Sequence, residues 1–271
     1  MNTTETNTNE IDVIVDEEQI KEEQIKEDQM ENEQKEKPVK KRSTIKQPPL
    51  EKFYTDDPSI IEIGVDEVGR GPMFGRVYTA AVILPKDDSF DHSMMKDSKK
   101  FSSKKKILEV SEYIKKNAIA WNVSYEDEQT IDTINILQAT QKSMHTSILG
   151  VKQQYLHLGK EPSKFQLLID GNYFNPITYM NKQRGIIEVI PHICIEGGDN
   201  KYTSIAAASI LAKVSRDEYI EKMCETYPEL IDKYGIDSNK GYGSKKHMDG
   251  ILKHGITVWH RRTFGICKNY I

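Results

Sequence analysis

Residues 62–76, EIGVDEVGRGPMFGR, bring two carboxylates, Asp66 and Glu67, to the end of an apolar run and follow them with glycines around a single arginine. Two further acids stand in related settings. FQLLIDGN ends five mostly apolar residues at Asp170 before a Gly-Asn turn, and IEGGDNKYTSIAAASILAKVSRD sets Asp199 between a glycine pair and an alanine-rich segment. Four carboxylates brought together repel one another, and protonation or bound cations relieve the repulsion. Oxygen donors without His or Cys suit a hard ion such as Mg²⁺ or Mn²⁺. Taken singly each acid has a plainer reading: Asp199 as a helix cap, Asp170 as the start of an Asp-Gly turn, Asp66 and Glu67 as a pair facing water. The repeated arrangement of an acid at the end of an apolar strand favours a joint site. Neighbours on a strand point to opposite faces, so Asp66 and Glu67 share one site only where the strand is ending, and the glycines supply that ending.

These acids need strands and helices to hold them. Alternating and apolar runs predict strands at 60–67, 77–84, 118–125, 165–169 and 186–195, and helical spacing predicts helices at 102–116, near 128–158 and at about 201–226. Strands and helices alternate in the second half, which favours a sheet covered by helices. Small alanine side chains let the 201–226 helix approach that sheet closely. The last forty residues read as a small helical or loop-rich region.

Net charge divides the chain in three. Residues 1–36 hold 13 acidic and 3 basic residues, residues 37–50 hold 5 basic and no acidic ones, and residues 51–271 hold 30 basic and 29 acidic ones. The globular part is therefore close to neutral, and any nucleic-acid binding rests on a local basic stripe rather than on net charge. Within the first segment EEQIK, EEQIK, EDQME and NEQKE follow at a period of five, which turns Ile20, Ile25 and Met30 around a helix instead of along one face. We read residues 1–57 as a low-complexity charged tail, disordered, and 58–271 as the folded domain, with about 228–271 as a C-terminal extension. Cys194, Cys224 and Cys267 lie far apart without a CxxC pair, which argues against a disulfide framework or thiolate metal site and for a reducing, cytoplasmic setting. No apolar stretch approaches the roughly 20 residues that span a bilayer.

VDEVGRGP with the following FG and TAAVIL, DSKK at 97–100, NILQAT at 135–140, IDGN at 169–172, GGD…IAAASILAKVSRD at 197–217, NKGYGSKKH at 239–247 and HRRTF at 260–264 together resemble ribonuclease HII. The resemblance spans about residues 60–265 in order. It implies an α/β fold, a ribonuclease-H-like mixed sheet flanked by helices with a small helical C-terminal extension. It implies an endonuclease, a monomer of DNA replication and repair, that cleaves the RNA strand of RNA/DNA hybrids and incises at ribonucleotides embedded in DNA. Two-metal-ion hydrolysis would leave 3′-hydroxyl and 5′-phosphate ends. Asp66, Glu67, Asp170 and Asp199 are then its catalytic residues and its ligands for Mg²⁺ or Mn²⁺. Phe74 and Arg76 stand where the family commonly has small residues and Pro, and Thr263 where Ser is usual. Changed packing or DNA contact is expected there. A related type, ribonuclease HIII, differs at the Arg70 position and has a folded N-terminal domain, unlike the charged repeats here.

An enzyme that tells RNA from DNA has the 2′-hydroxyl to read. Glycines let the main chain of Gly69, Arg70 and Gly71 come within hydrogen-bond reach of it, and Arg70 can hold the adjacent phosphate as a charged fork. The resemblance adds Tyr242 as a ring presented to the next sugar. Lys99, Lys100, Lys213, Lys245, Arg261 and Arg262 are expected to neutralise backbone phosphate, although most lysines are simply solvated. The seven histidines form no cluster by spacing, and His247 and His260 fit phosphate contact or structure equally. In QPPLEKFY, residues 47–54, Gln47, Leu50, Phe53 and Tyr54 match the spacing by which tails dock on DNA sliding clamps. Packing of Phe53 and Tyr54 on the adjacent domain is the favoured alternative. Two other classes share parts of the pattern. A different two-metal nuclease of this fold would keep the carboxylates without GRG or GYG, and a non-catalytic hybrid-binding protein would keep the basic stripe.

Overall fold

The computed structural model describes residues 48–159, 164–181 and 185–270. The pentad repeats, the basic run at 40–42 and Gln47 lie outside them. Pro49–Ile271 forms one compact unit. Its centre is a five-stranded mixed sheet built from β1 (Ile60–Val68), β2 (Val77–Ile83), β3 (Ala120–Glu126), β4 (Lys164–Asp170) and β7 (His192–Ile195), in the order β3-β2-β1-β4-β7. β2 runs antiparallel to β1 and β3, whereas β4 lies parallel to both β1 and β7. The register pairs Val65 with Ile169, so the strand ends that carry Asp66 and Asp170 lie side by side.

The predicted strand at 186–195 is two strands. Pro191 has no N–H for the ladder, and the chain divides there into β6 (Ile186–Val189), which pairs with β5 (Thr178–Asn181) as a separate hairpin, and β7, which joins the main sheet. The long helix expected near 128–158, α2 (Glu128–His157), is kinked at Asn135, which adopts φ 65° and ψ 163°. The Asn135 side chain accepts a hydrogen bond from Gln138 N at 3.1 Å and so caps the second, longer segment. The kink turns the first segment toward the C-terminal residues: Asp132 accepts from the backbone N–H groups of Arg262 and Thr263 at 2.8 and 2.9 Å and from the Thr263 hydroxyl at 2.6 Å.

Alternation along the strands gives the sheet two apolar faces. Ile63, Val65, Ala81, Ile83, Leu167 and Ile169 pack against Met144, Ile148, Val151 and Tyr155 of α2. On the other face Ala80 and Val82 meet α1 (Lys104–Asn117) and the alanines of α3 (Thr203–Thr226). A third cluster, built around Met73, Phe74, Ile220, Leu230, Tyr234 and Ile251, joins the β1–β2 turn to the C-terminal helices α4 (Glu229–Tyr234), α5 (Ile236–Asn239) and α6 (Lys245–His254). The three cysteines are free, and no described helix is long and apolar enough to cross a membrane.

The chain ahead of β1 is strapped to this body. Glu51 pairs with the start of α3 through Glu51 N to Lys201 O, 2.8 Å, and Thr203 N to Glu51 O, 3.0 Å. Leu50 packs on the α3 side of the core. The Phe53 ring meets His92 edge-on with centroids 5.3 Å apart, and Tyr54, 44% exposed, leans on Tyr202.

One glycine sets how close α3 comes. A Cβ at Gly64 would stand 2.2 Å from the Ser204 carbonyl carbon, so only hydrogen fits between β1 and the first turn of α3. That turn carries the chain from Asp199 onward. Gly64→Ala is therefore expected to push helix and strand apart and to destabilise the domain by roughly 1–3 kcal/mol. Urea unfolding reads the effect, and a change below about 0.5 kcal/mol would refute the close packing.

Candidate active site

Parallel neighbours bring their C-terminal ends to one edge, and three of the strands deliver acids there. β1 ends in Asp66 and Glu67, β4 ends in Asp170, and β7 leads through Gly197 into the short 3-10 turn Gly198–Asn200 that holds Asp199. All four line one cleft of about 420 Å³, together with Lys99, Ser209, Lys213, Arg216 and Tyr242. The sequence-based expectation for the acids concerned their types and strand ends, and the fold brings all four together.

Each carboxylate is already engaged. Asp66 is 4% exposed and accepts from Glu67 N at 2.7 Å and from the Ser209 hydroxyl. Burial, then the neighbouring charges of Glu67 and Asp170, push its carboxyl well above the usual carboxylate range. Burial also raises Glu67, against the pull of Arg70, whose Nη1 lies 3.3 Å from Glu67 Oε1. Asp170 is raised by burial, opposed by the Gly198 N–H that donates to its Oδ1 at 2.6 Å. Asp199 accepts from Asn200 Nδ2 at 2.9 Å.

With no histidine or cysteine among the residues that line the cleft, these oxygen donors are of the type that could hold a hard divalent cation. Among the described residues no three His, Cys, Asp or Glu side chains already stand in an arrangement that would hold a metal ion. Asn200 was not legible as part of the site. Its Nδ2 also reaches Asp97 Oδ2 at 3.4 Å and its Oδ1 accepts from Lys100, which ties the DSKK turn to Asp199. Asp97 in turn caps that turn through Lys99 N at 2.8 Å, and Lys99 faces Asp170 as a counter-charge.

The Gly69-Arg70-Gly71 turn stands beside the acids. Gly69 has φ +89°, and a Cβ there would meet Arg216 Nε at 2.4 Å. Its bareness thus makes room for a buried arginine beneath the turn, where the sequence suggested room for a ligand above it. At Gly71 the nearest atom to an added Cβ is Tyr242 Cε1 at 3.5 Å, so the turn and the half-exposed Tyr242 ring face each other. Lys213 lines the cleft with its ammonium on Asp217, 2.6 Å away.

Arg261 departs from its expected role. It is fully buried and donates to the carbonyls of Gly75, Arg70 and Gly69 at 2.7, 2.9 and 2.6 Å, so it faces the interior and not a phosphate. Arg216, also buried and missed in the sequence, donates to Phe74 O at 3.4 Å and Lys240 O at 2.9 Å. Sequence alone placed Arg261 among the phosphate-neutralising cations and singled out no role for Arg216; an unpaired buried charge is costly, and only carbonyls from distant segments offset that cost. Of the three departures from the pattern, Phe74 and Arg76 resolve into packing. Phe74 is buried against Trp259 and His260, and the Arg76 guanidinium lies between the Tyr125 and Tyr219 rings at 4.1 and 4.6 Å.

His247 and His260 do meet, with Nε2 to Nε2 at 3.1 Å in the interior. The hydrogen bonds assign every proton. Thr257 N donates to His260 Nδ1 at 2.9 Å, so His260 carries its proton on Nε2 and donates it to His247 Nε2. His247 then donates from Nδ1 to Tyr242 O at 2.9 Å. This neutral chain fixes the backbone under Tyr242, and burial pushes His260 down to about 3.

The description "Ribonuclease HII" belongs to the family model that matches residues 63–267. The ribonuclease HII of Bacteroides thetaiotaomicron is 44% identical over 209 residues, 76% of this chain and 90% of that one. That of Porphyromonas gingivalis is 41% identical over 215 residues, 79% and 93% of the two chains. Among solved structures, the ribonuclease H2 from Pyrococcus horikoshii matches with TM-score 0.57 and 21% identity over 77% of this chain and 95% of that one. A PCNA:RNase HII complex from Archaeoglobus fulgidus matches with TM-score 0.56 and 23% identity over 76% and 95%. At such identities the two structures speak for the fold alone.

The neutral histidine pair has a measurable consequence. A histidine lowered in the folded state stabilises above its unfolded pKa of about 6.5 and loses that contribution as pH falls toward the folded value. Replacing it in His260→Gln should reduce the loss of unfolding free energy between pH 7 and pH 5 by about 2 kcal/mol relative to the parent. Equal losses in urea titrations of the two proteins would mean that His260 is not held neutral.

Proposed function

This chain belongs to the ribonuclease HII family, endonucleases of RNA/DNA hybrids that depend on divalent metal, and we propose that Asp66, Glu67, Asp170 and Asp199 hold that metal while Gly69-Arg70-Gly71 and Tyr242 choose the bond. The observation that carries this reading is the convergence of four carboxylates from separate segments on one cleft beside a bare main-chain turn. Mg²⁺ or Mn²⁺ fits the oxygen-only donors. Bound there, such cations supply the Lewis acidity that makes water a nucleophile near neutral pH and offsets charge on the departing 3′ oxygen, giving 3′-hydroxyl and 5′-phosphate ends.

The protein's own groups do the rest. Arg70 is the most exposed cation at the turn, with half its side chain in solvent, and reaches a phosphate by leaving Glu67. The outward N–H groups of the turn read the 2′-hydroxyl. Tyr242, 49% exposed and braced from behind by His247, offers its ring to the deoxyribose that follows. Recognition of one sugar followed by its deoxy neighbour supports incision at single embedded ribonucleotides as well as in long hybrids. Lys99 and Lys213, on the cleft wall, lower the negative potential that a phosphate meets there. The same reading makes the protein a monomer that works on DNA in the cytoplasm. A sliding clamp is a second partner to consider, since the Archaeoglobus fulgidus neighbour is a PCNA complex. Leu50 and Phe53 are engaged on the domain here, so clamp docking would have to draw them off it.

A labelled duplex with one ribonucleotide, incubated with Mg²⁺ or Mn²⁺ beside an all-DNA duplex, tests the activity. Incision of the first alone is expected, incision of both would mark a general nuclease, and incision of neither would leave a hybrid binder. Asp66→Asn should lower turnover by more than the roughly 10–100-fold that loss of an outer metal partner costs, with duplex affinity nearly unchanged. Near-normal turnover would count against the metal site. Tyr242→Ala should shift or blur the cleavage position and weaken affinity by the roughly 1–3 kcal/mol of a lost aromatic stack. An unchanged position and rate would remove Tyr242 from the site.

A further inference from the structure

Arg261 presents an unusual combination. It is fully buried, and no ion pair of its guanidinium is found among the described residues. Instead three of its nitrogens donate to main-chain carbonyls: Nε to Gly75 O at 2.7 Å, Nη1 to Arg70 O at 2.9 Å and Nη2 to Gly69 O at 2.6 Å. The nearest acids have other partners, Glu128 on the Tyr219 hydroxyl at 3.0 Å and Asp132 on the Arg262–Thr263 backbone. A buried cation without a touching carboxylate is a poor way to gain stability, since a packed hydrophobic side chain would cost less. Burial accordingly lowers its pKa to about 9.

The geometry suggests what the charge is for. Among the described residues every peptide bond is trans, so each C=O points opposite to the N–H of the same peptide unit. The Gly69 carbonyl shares its unit with Arg70 N–H, and the Arg70 carbonyl shares its unit with Gly71 N–H. With both carbonyls drawn inward onto one planar fork, both N–H groups must face outward. Gly69 is buried while Arg70 and Gly71 are exposed, in agreement with that orientation. A cation on the carbonyl end also polarises each peptide unit and makes its N–H a stronger donor.

We propose that Arg261 is the positioning residue of the ribose-reading turn, holding the carbonyls of Gly69, Arg70 and Gly75 on one buried guanidinium so that the Arg70 and Gly71 N–H groups form an outward pair of donors for the 2′-hydroxyl. This rests on the ribose reading given above and adds the group that builds it. A planar fork is required, because an ammonium is a point charge that cannot reach three carbonyls in fixed directions. Arg261 touches no substrate and acts through the turn.

The test is a binding ratio measured on the full chain without divalent metal, so that nothing is cleaved. Affinity for a duplex with one ribonucleotide is divided by affinity for the same all-DNA duplex. In Arg261→Gln the ratio is expected to fall by about tenfold, the size of one lost charge-assisted hydrogen bond, while all-DNA affinity and cooperative unfolding persist. Arg261→Lys keeps the charge and most of the stem, and is expected to fold in any case and to recover only part of the ratio. A parent-like ratio in either folded variant overturns the proposal. A ratio of one in the parent protein itself would instead remove the ribose reading, and this inference with it.

Discussion

Like charges drawn together in a partly buried cleft repel one another, and the rest of this molecule is arranged around that fact. Asp66, Glu67 and Asp170 are all raised by burial, and Asp66 further by its acidic neighbours. Such a group is unfavourable for the folded protein alone, and bound cations would relieve the repulsion. The backbone tolerates it by donating locally, Glu67 N to Asp66 and Gly198 N to Asp170, which holds these two carboxylates in place. Close approach of α3 to β1 at Gly64 and parallel pairing of β1, β4 and β7 keep the acids at one edge.

A second layer forms the wall opposite these acids. The C-terminal residues return to the β1–β2 turn through Arg261 N to Met73 O at 2.8 Å and Gly75 N to Trp259 O at 2.9 Å. Arg216 and Arg261 sit beneath that turn, and the paired histidines sit beneath Tyr242. The extension therefore works from behind as much as from the surface, fixing the main-chain groups of the turn and of Tyr242 from the interior. With a folded part near charge balance, net charge gives no general attraction to a duplex, and contacts to phosphate would have to come from local cations.

The strand and helix pattern was largely legible in the sequence. Strand ends at Asp66 and Asp170 agreed with the ladders to within a residue or so, because alternation and glycine punctuation are local signals. Pro191 and Asn135 were the exceptions. An apolar run continued across Pro191, and helical spacing continued across Asn135, so neither break altered the hydrophobic period. The identities of Arg216, Asn200 and the histidine pair as supports of the site were hidden, since no short-range pattern marks them.

What the sequence determined by itself was the chemistry on offer: three oxygen donors at strand ends and a fourth ahead of a helix, a bare GRG turn, an aromatic between glycines and a nearly neutral domain. Which way the charged groups face was decided only by tertiary structure. Arg261 lies in a basic run that reads as surface, yet its acceptors come from residues 186 to 192 positions away. Burying a cation is tolerable only where such distant carbonyls converge, and convergence is a property of the folded chain.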